Sequence, residues 1–176
     1  MLTRVILRDG LPGSARHPEE VVLLPGVPEA VARLRDLGLL VIVVTNQPDL
    51  ARGRLTPEAL AVIHGRLRAA LPLDDLAVCP HDDADGCACR KPRPGMLLEA
   101  AARWDIDLAA SFLVGDRDKD IEAGRRAGCT TILLPASYSG AVRADYGAAD
   151  LAEAAEIMAR LMRAGAPEHA PRGEQA

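Results

Sequence analysis

The chain alternates short apolar runs with longer amphipathic stretches. LTRVIL (2–7) predicts a first strand. LLVIVVT (39–45) is a continuous apolar run rich in β-branched residues, the pattern of a strand buried on both faces of a parallel sheet. LAVC (76–79), SFLVG (111–115) and TTILL (130–134) predict three more strands. VVLL (21–24) is a candidate short strand inside a loop over 9–26 that is rich in Pro, Gly and charge. Between the strands, Pro28 to Asp36 has helical spacing, with Gly38 as its stop. Thr56-Pro57-Glu58 opens a helix to about residue 71, with Thr as N-cap and Pro at the first position. Further helices are predicted over 94–104, 120–128 and 151–165, the last one amphipathic.

Strands alternating with helices at this spacing imply βαβ units, hence an α/β fold of three αβα layers around a central parallel sheet. Ligands of such folds sit beyond the carboxyl ends of the strands. RDG (8–10), TNQ (45–47) and GDRDKD (115–120) each follow an apolar run directly, so all three are expected in one crevice. No repeat or linker divides the chain. One domain is expected over 1–165, and the aperiodic end APEHAPRGEQA (166–176) reads as a disordered tail.

Composition narrows the partners. A net charge of −4 and 2% aromatic residues argue against nucleic acid, since few rings are left for base stacking. No apolar run approaches the roughly 20 residues that span a bilayer, and no basic segment leads into an apolar signal core. A cytoplasmic location is therefore the expectation. Three of the four cysteines, Cys79, Cys87 and Cys89, crowd together and Cys129 stands apart, which in a cytosolic chain reads as a metal site before it reads as disulfides.

Several polar groups carry candidate chemistry. Thr45 and Asn46 end a strand, where a hydroxyl, an amide and free N–H groups can cradle a phosphate, although Thr-Asn would equally turn the chain. Lys91, in a short loop before a helix, could neutralise a phosphate or merely punctuate the surface. Asp116 and Asp120 follow a buried strand and offer hard oxygens to magnesium, while Asp118 or Asp120 would also serve as a helix cap. Cys79, His81, Cys87 and Cys89 form C-x-H-x5-C-x-C, a closed set of three thiolates and one imidazole suited to structural zinc. Reduced cysteines without a metal are the alternative.

In this order TNQ, RKP and VGDRDKD resemble the haloacid dehalogenase (HAD) superfamily of phosphotransferases over roughly residues 5–135. The cysteine loop directly before RKP (zinc loop 79–91), with TNQPDLARGRLT and RKPRPGMLLEA, is similar to the heptose 1,7-bisphosphate phosphatases and their histidinol-phosphate phosphatase relatives. The resemblance implies phosphate binding by Thr45, Asn46 and Lys91 and magnesium at Asp116 and the Asp9 carbonyl. It also implies sugar-phosphate contacts from Arg52 and Arg90, with little or no cap domain and a monomer.

The resemblance breaks at one position. The family's first strand ends in D-x-D-G, where the first Asp attacks phosphorus and ligates magnesium and the second acts as acid and base. Arg8-Asp9-Gly10 matches the last three positions, which puts Asp9 in the acid/base place and Leu7 in the nucleophile's. Leucine has no lone pair to attack phosphorus, and its presence weakens the magnesium site by one carboxylate. Shifting the register to make Asp9 the nucleophile puts Leu11 in the acid's place, so the defect moves without vanishing. Two readings lead: a phosphatase-like protein that binds a sugar phosphate with impaired or no turnover, whether as a residual enzyme or as a binding or regulatory protein, and an active phosphomonoester hydrolase acting on heptose 1,7-bisphosphate or a similar sugar phosphate.

Overall fold

A computed structural model describes residues 1–8 and 10–165; Asp9 and the tail at 166–176 lie outside the described residues. The first elements are β1 (Ile6–Arg8), β2 (Leu11–Gly13) and α1 (Val27–Asp36), followed by β3 (Ile42–Asn46), α2 (Pro57–Ala70) and β4 (Asp75–Cys79). Then come α3 (Gly95–Trp104), β5 (Phe112–Gly115), α4 (Asp118–Ala127), β6 (Thr130–Leu133), β7 (Tyr146–Gly147) and α5 (Leu151–Arg163). β3 pairs in parallel with β4, and β5, β6 and β7 pair in parallel in that order.

The two-residue period of the strands sorts side chains into two layers. Phe112 and Val114 face a core built with α1 and α5, in which Val31, Ile132, Ala154, Ala155 and Met158 are buried. Leu113, one residue out of phase, packs the other way with Leu97 of α3, Ala123 of α4 and Val44 of β3. Helices therefore cover both faces of the sheet, as the α/β pattern predicts. α2 adds Leu60 and Ile63, packed with Leu55 and Val78. Thr56 caps α2 as predicted, its side-chain oxygen accepting from the Ala59 N–H at 3.2 Å. The helices and strands β3 to β6 match their predicted positions to within a few residues at each end, and β7 is an addition that the sequence pattern did not predict.

The start of the chain departs from expectation. The predicted strand over 2–7 does not join the parallel sheet. Residues 6–8 instead form an antiparallel hairpin with β2, Arg8 facing Leu11. Thr3 bridges Leu23 in the candidate strand at 21–24, and the Arg4 N–H donates to the Val22 carbonyl. The local sequence supplies the reason. Asp-Gly is a strong two-residue hairpin turn, and Gly10 adopts the left-handed φ of 75° that such a turn requires. The Arg8 guanidinium fixes the hairpin with both Glu20 carboxylate oxygens at 2.7 Å and the Ser14 carbonyl at 2.8 Å.

Candidate phosphate cradle and metal centre

Lys91 is the junction of the site. The Asp74 N–H donates to the Val41 carbonyl and the Gln47 N–H to the Cys79 carbonyl, so the odd-numbered residues of β3 face β4. The carbonyl of Val44 therefore points to the open edge of β3, and there it accepts from Lys91 Nζ at 2.7 Å. The same ammonium lies 2.6 Å from Asp120 Oδ1 in the first turn of α4, after β5. One lysine thus ties the two parallel sheets at their carboxyl ends. Its backbone is locked as well, because the Asn46 side chain donates to the Lys91 carbonyl and accepts from the Lys91 N–H, both at 3.1 Å. Thr45 Oγ1 accepts from Gln47 Nε2 at 3.3 Å. Of the three stretches expected in one crevice, TNQ and GDRDKD are brought together, and Lys91 of RKP joins them; RDG (8–10) lies instead on the antiparallel hairpin, with Asp9 outside the described residues.

Asp120 fills this role because Gly115 makes room for it: a Cβ at residue 115 would stand 2.3 Å from the Asp120 Cβ. Its second oxygen accepts from the Arg117 N–H at 3.1 Å, the cap that sequence reading allowed. Both Asp120 oxygens are thereby engaged, and its geometry is that of a partner to lysine rather than of a free metal ligand.

Asp116 is the carboxylate that remains available to a cation. Its Oδ2 accepts from the Tyr138 hydroxyl at 2.5 Å and lies 3.1 Å from the Met1 ammonium, and neither contact uses Oδ1. Burial opposes its charge, but the Tyr138 bond and the nearby ammonium outweigh burial and hold the carboxyl below its ordinary value. A carboxyl held toward its charged form in this way suits magnesium, with one protein carboxylate rather than two. Tyr138 was not legible from spacing, although it follows a strand end, where functional groups are expected. Arg117 stacks over its ring at 5.0 Å, and Ser139 donates to the Asp116 carbonyl at 2.5 Å.

Leu7 sits on the hairpin with 66% of its surface exposed, and Leu11 is 70% exposed. Asp9, the proposed acid/base position, lies outside the described residues.

The cysteine loop closes on itself as predicted. Ligand atoms of Cys79, His81, Cys87 and Cys89 all lie within 4.8 Å of one another. The closest approaches are 3.6 Å for Cys79 to Cys87, 3.5 Å for Cys87 to Cys89 and 3.3 Å for His81 Nδ1 to Cys89. Zinc–sulfur bonds of about 2.3 Å in a tetrahedron give edges near 3.8 Å, so the donor set fits a zinc ion. Without a cation the thiols divide: burial first, then the neighbouring thiols, push Cys89 up to about 12, whereas hydrogen bonds from Cys89 and the Arg90 N–H outweigh burial and hold Cys87 at about 7. The fourth cysteine, Cys129, is buried in the core and takes no part.

The two candidate arginines are engaged by the same loop. Arg52 donates through Nε and Nη2 to the two Asp82 oxygens, each at 2.6 Å. Arg90 donates to Asp83 at 2.8 and 3.0 Å and to the His81 carbonyl at 3.0 Å. Arg90 is 9% exposed, and its three nitrogens are all spent within the loop.

Comparison with known proteins gives a consistent picture. Residues 88–154 match a family model described as HAD-hydrolase-like. The chain is 42% identical over 124 residues to the D-glycero-beta-D-manno-heptose-1,7-bisphosphate 7-phosphatase of Bordetella bronchiseptica, covering 68% of this chain and 69% of that one. It is 36% identical over 169 residues to the D-glycero-D-manno-heptose-1,7-bisphosphate 7-phosphatase of Thermosynechococcus vestitus, covering 82% and 86%. The crystal structure of the B. bronchiseptica D,D-heptose 1,7-bisphosphate phosphatase, complexed with magnesium and phosphate, superposes with a TM-score of 0.79 at 34% identity, covering 91% of this chain and 94% of that one.

Proposed function

Since the chain belongs to the HAD-like hydrolases and its relatives are heptose-bisphosphate phosphatases, we propose that it binds a sugar phosphate at the Lys91 junction and turns it over poorly or not at all. The observation that carries the reading is an imbalance. Thr45, Asn46 and Asp116 stand at the ends of packed parallel strands with Lys91 held against them, whereas the nucleophile's position is Leu7 on an exposed hairpin.

In this reading Lys91 supplies the charge for the phosphate, and Thr45 with the strand-end N–H groups supplies neutral donors. Asn46 holds the lysine's backbone. Asp116 is the residue to hold magnesium, which when bound screens the phosphate's negative charge. The zinc loop holds Lys91 and Arg90 in place and takes no chemical part. With leucine at position 7 no side chain there can form an aspartyl-phosphate. A cradle that keeps only positioning and electrostatics retains a small part of a full enzyme's acceleration. The reaction at issue, phosphomonoester hydrolysis, is among the slowest known without a catalyst.

The test is calorimetric titration of the zinc-loaded protein with heptose 7-phosphate and magnesium, beside Lys91→Gln. Binding by the wild type that weakens tenfold or more in the variant is the expected result. A wild type that binds nothing, or a variant that binds as well, refutes the reading. The competing reading, an active hydrolase, draws on the complete set Thr45, Asn46, Lys91 and Asp116, and a wild type with family-like turnover would establish it.

A further inference from the structure

The segment after β6 is strapped across the carboxyl end of β5 by groups outside every sequence motif. Residues 136–139 form a closed turn, in which the Ser139 N–H donates to the Ala136 carbonyl and the Ala136 N–H to Ser139 Oγ, both at 2.9 Å. From this turn three groups reach the residues that follow β5. The Tyr138 hydroxyl donates to Asp116 Oδ2 and the Ser139 hydroxyl to the Asp116 carbonyl, both at 2.5 Å. The Gly140 N–H donates to Asp118 Oδ1 at 2.9 Å. That approach depends on glycine, since a Cβ at residue 140 would stand 1.9 Å from Asp118 Oδ2. The Arg117 guanidinium lies over the Tyr138 ring, and the Arg125 side chain donates to the Arg143 carbonyl further along the strap.

The strap makes the two oxygens of Asp116 unequal. Oδ2 is spent on the phenol and faces the Met1 ammonium, whereas Oδ1 takes no hydrogen bond among the described residues. A carboxylate held in this way offers a cation one oxygen. Magnesium is small and octahedral, and it fills the rest of its shell with water and phosphate. Calcium is larger, collects about six to eight oxygens and readily grips a carboxylate by both. We propose that Tyr138 is a positioning residue that, with the strap carrying it, sets Asp116 to favour magnesium over calcium. The inference rests on the reading that Asp116 holds magnesium. The phenol fixes the direction in which Oδ1 is presented and blocks the two-oxygen grip that a larger cation would use. With leucine at position 7, the choice between cations falls on Asp116.

The experiment uses zinc-loaded protein with inorganic phosphate and takes manganese as the probe, its binding read by electron paramagnetic resonance. Magnesium and calcium are each titrated against the manganese, and the two displacement curves give their affinities without any turnover. Tyr138→Phe keeps the ring beside Arg117 and removes only the hydroxyl. It should weaken magnesium by about tenfold, the lower end for a ligating group that loses its hydrogen-bond partner, while calcium holds or tightens. Gly140→Ala leaves Tyr138 intact and pushes the strap off Asp118, so it should lower the magnesium-to-calcium ratio in the same direction by less. An equal loss of both cations in Tyr138→Phe would make the phenol a support of the fold alone and overturn the proposal, as would an unchanged ratio. Asp116→Asn separates the two readings. Manganese held as tightly by that variant as by wild type refutes the metal site and the strap's role together. Manganese lost there, beside an unchanged ratio in Tyr138→Phe, leaves the metal site standing and refutes the role of Tyr138.

Discussion

The hairpin at residues 6–13 and the loop at 79–91 both belong to motifs that resemble one phosphatase, yet they are built in opposite ways. The loop grows out of β4, whose last residue, Cys79, is fully buried, and each of its functional side chains has a partner. The hairpin lies off the parallel sheet, exposes Leu7 and Leu11, and is held by the left-handed Gly10 and the Arg8–Glu20 ion pair. A motif keeps its place when long-range packing fixes it. Where packing is thin, local turn chemistry decides.

Removing zinc tests the packed side of this contrast and should have the largest effect. Chelation, or Cys87→Ser with Cys89→Ser, should release about one zinc per chain and cost on the order of several kcal/mol, read as a fall in melting temperature. Protein that holds no zinc when prepared without chelators would leave the loop to its ion pairs alone.

Lys91→Met comes next. It leaves Asp120, 8% exposed, without its cation, and the loss should be about 3–5 kcal/mol in urea denaturation. Pairing it with Asp120→Asn should recover much of the stability and none of the phosphate binding, which separates the structural role from the binding role.

The far end of β4 gives a smaller effect with a defined pH window. The Trp104 indole first, then the Leu76 N–H, Arg68 and Arg103, hold Asp75 at about 2, against an ordinary 3.8. A carboxyl depressed in the folded state contributes stability that is complete above about pH 4 and is lost as pH falls toward 2. Asp75→Asn should cost about 1–2 kcal/mol at neutral pH, with the difference from wild type shrinking below pH 3. A gap that stays constant with pH would show that the pairings do not depend on the charge.

Leu7→Asp should matter least to stability, within about 0.5 kcal/mol, because the side chain is exposed and packs against little. A large loss would mean that Leu7 is buried in solution and the hairpin is displaced there.

Much of this arrangement was legible in the sequence. The β-branched run at 39–45 and the apolar stretches at 76–79 and 111–115 read as strands, and the polar residues after the first and last of them were expected at one end of the sheet, where they lie. Cysteine spacing gave the closed donor set. Three things were not legible. Arg8-Asp9-Gly10 reads equally as the end of a catalytic strand and as a hairpin turn, and strand periodicity cannot choose between them. Asp120 could be a metal ligand, a cap or a lysine's partner, and only the Gly115 contact and the position of Lys91 distinguish these. Tyr138 and the ion pairs of Asp82 and Asp83 join residues far apart in sequence, and no local pattern announces them.

The central claim is that this chain keeps a phosphate cradle and has lost the group that attacks phosphorus. Its most direct test is magnesium-dependent phosphate release from heptose 1,7-bisphosphate by the zinc-loaded wild type, measured beside Lys91→Gln. The account predicts a wild-type rate at or barely above that of the variant. A wild type that exceeds the variant by the several orders of magnitude expected of a working phosphatase would contradict it.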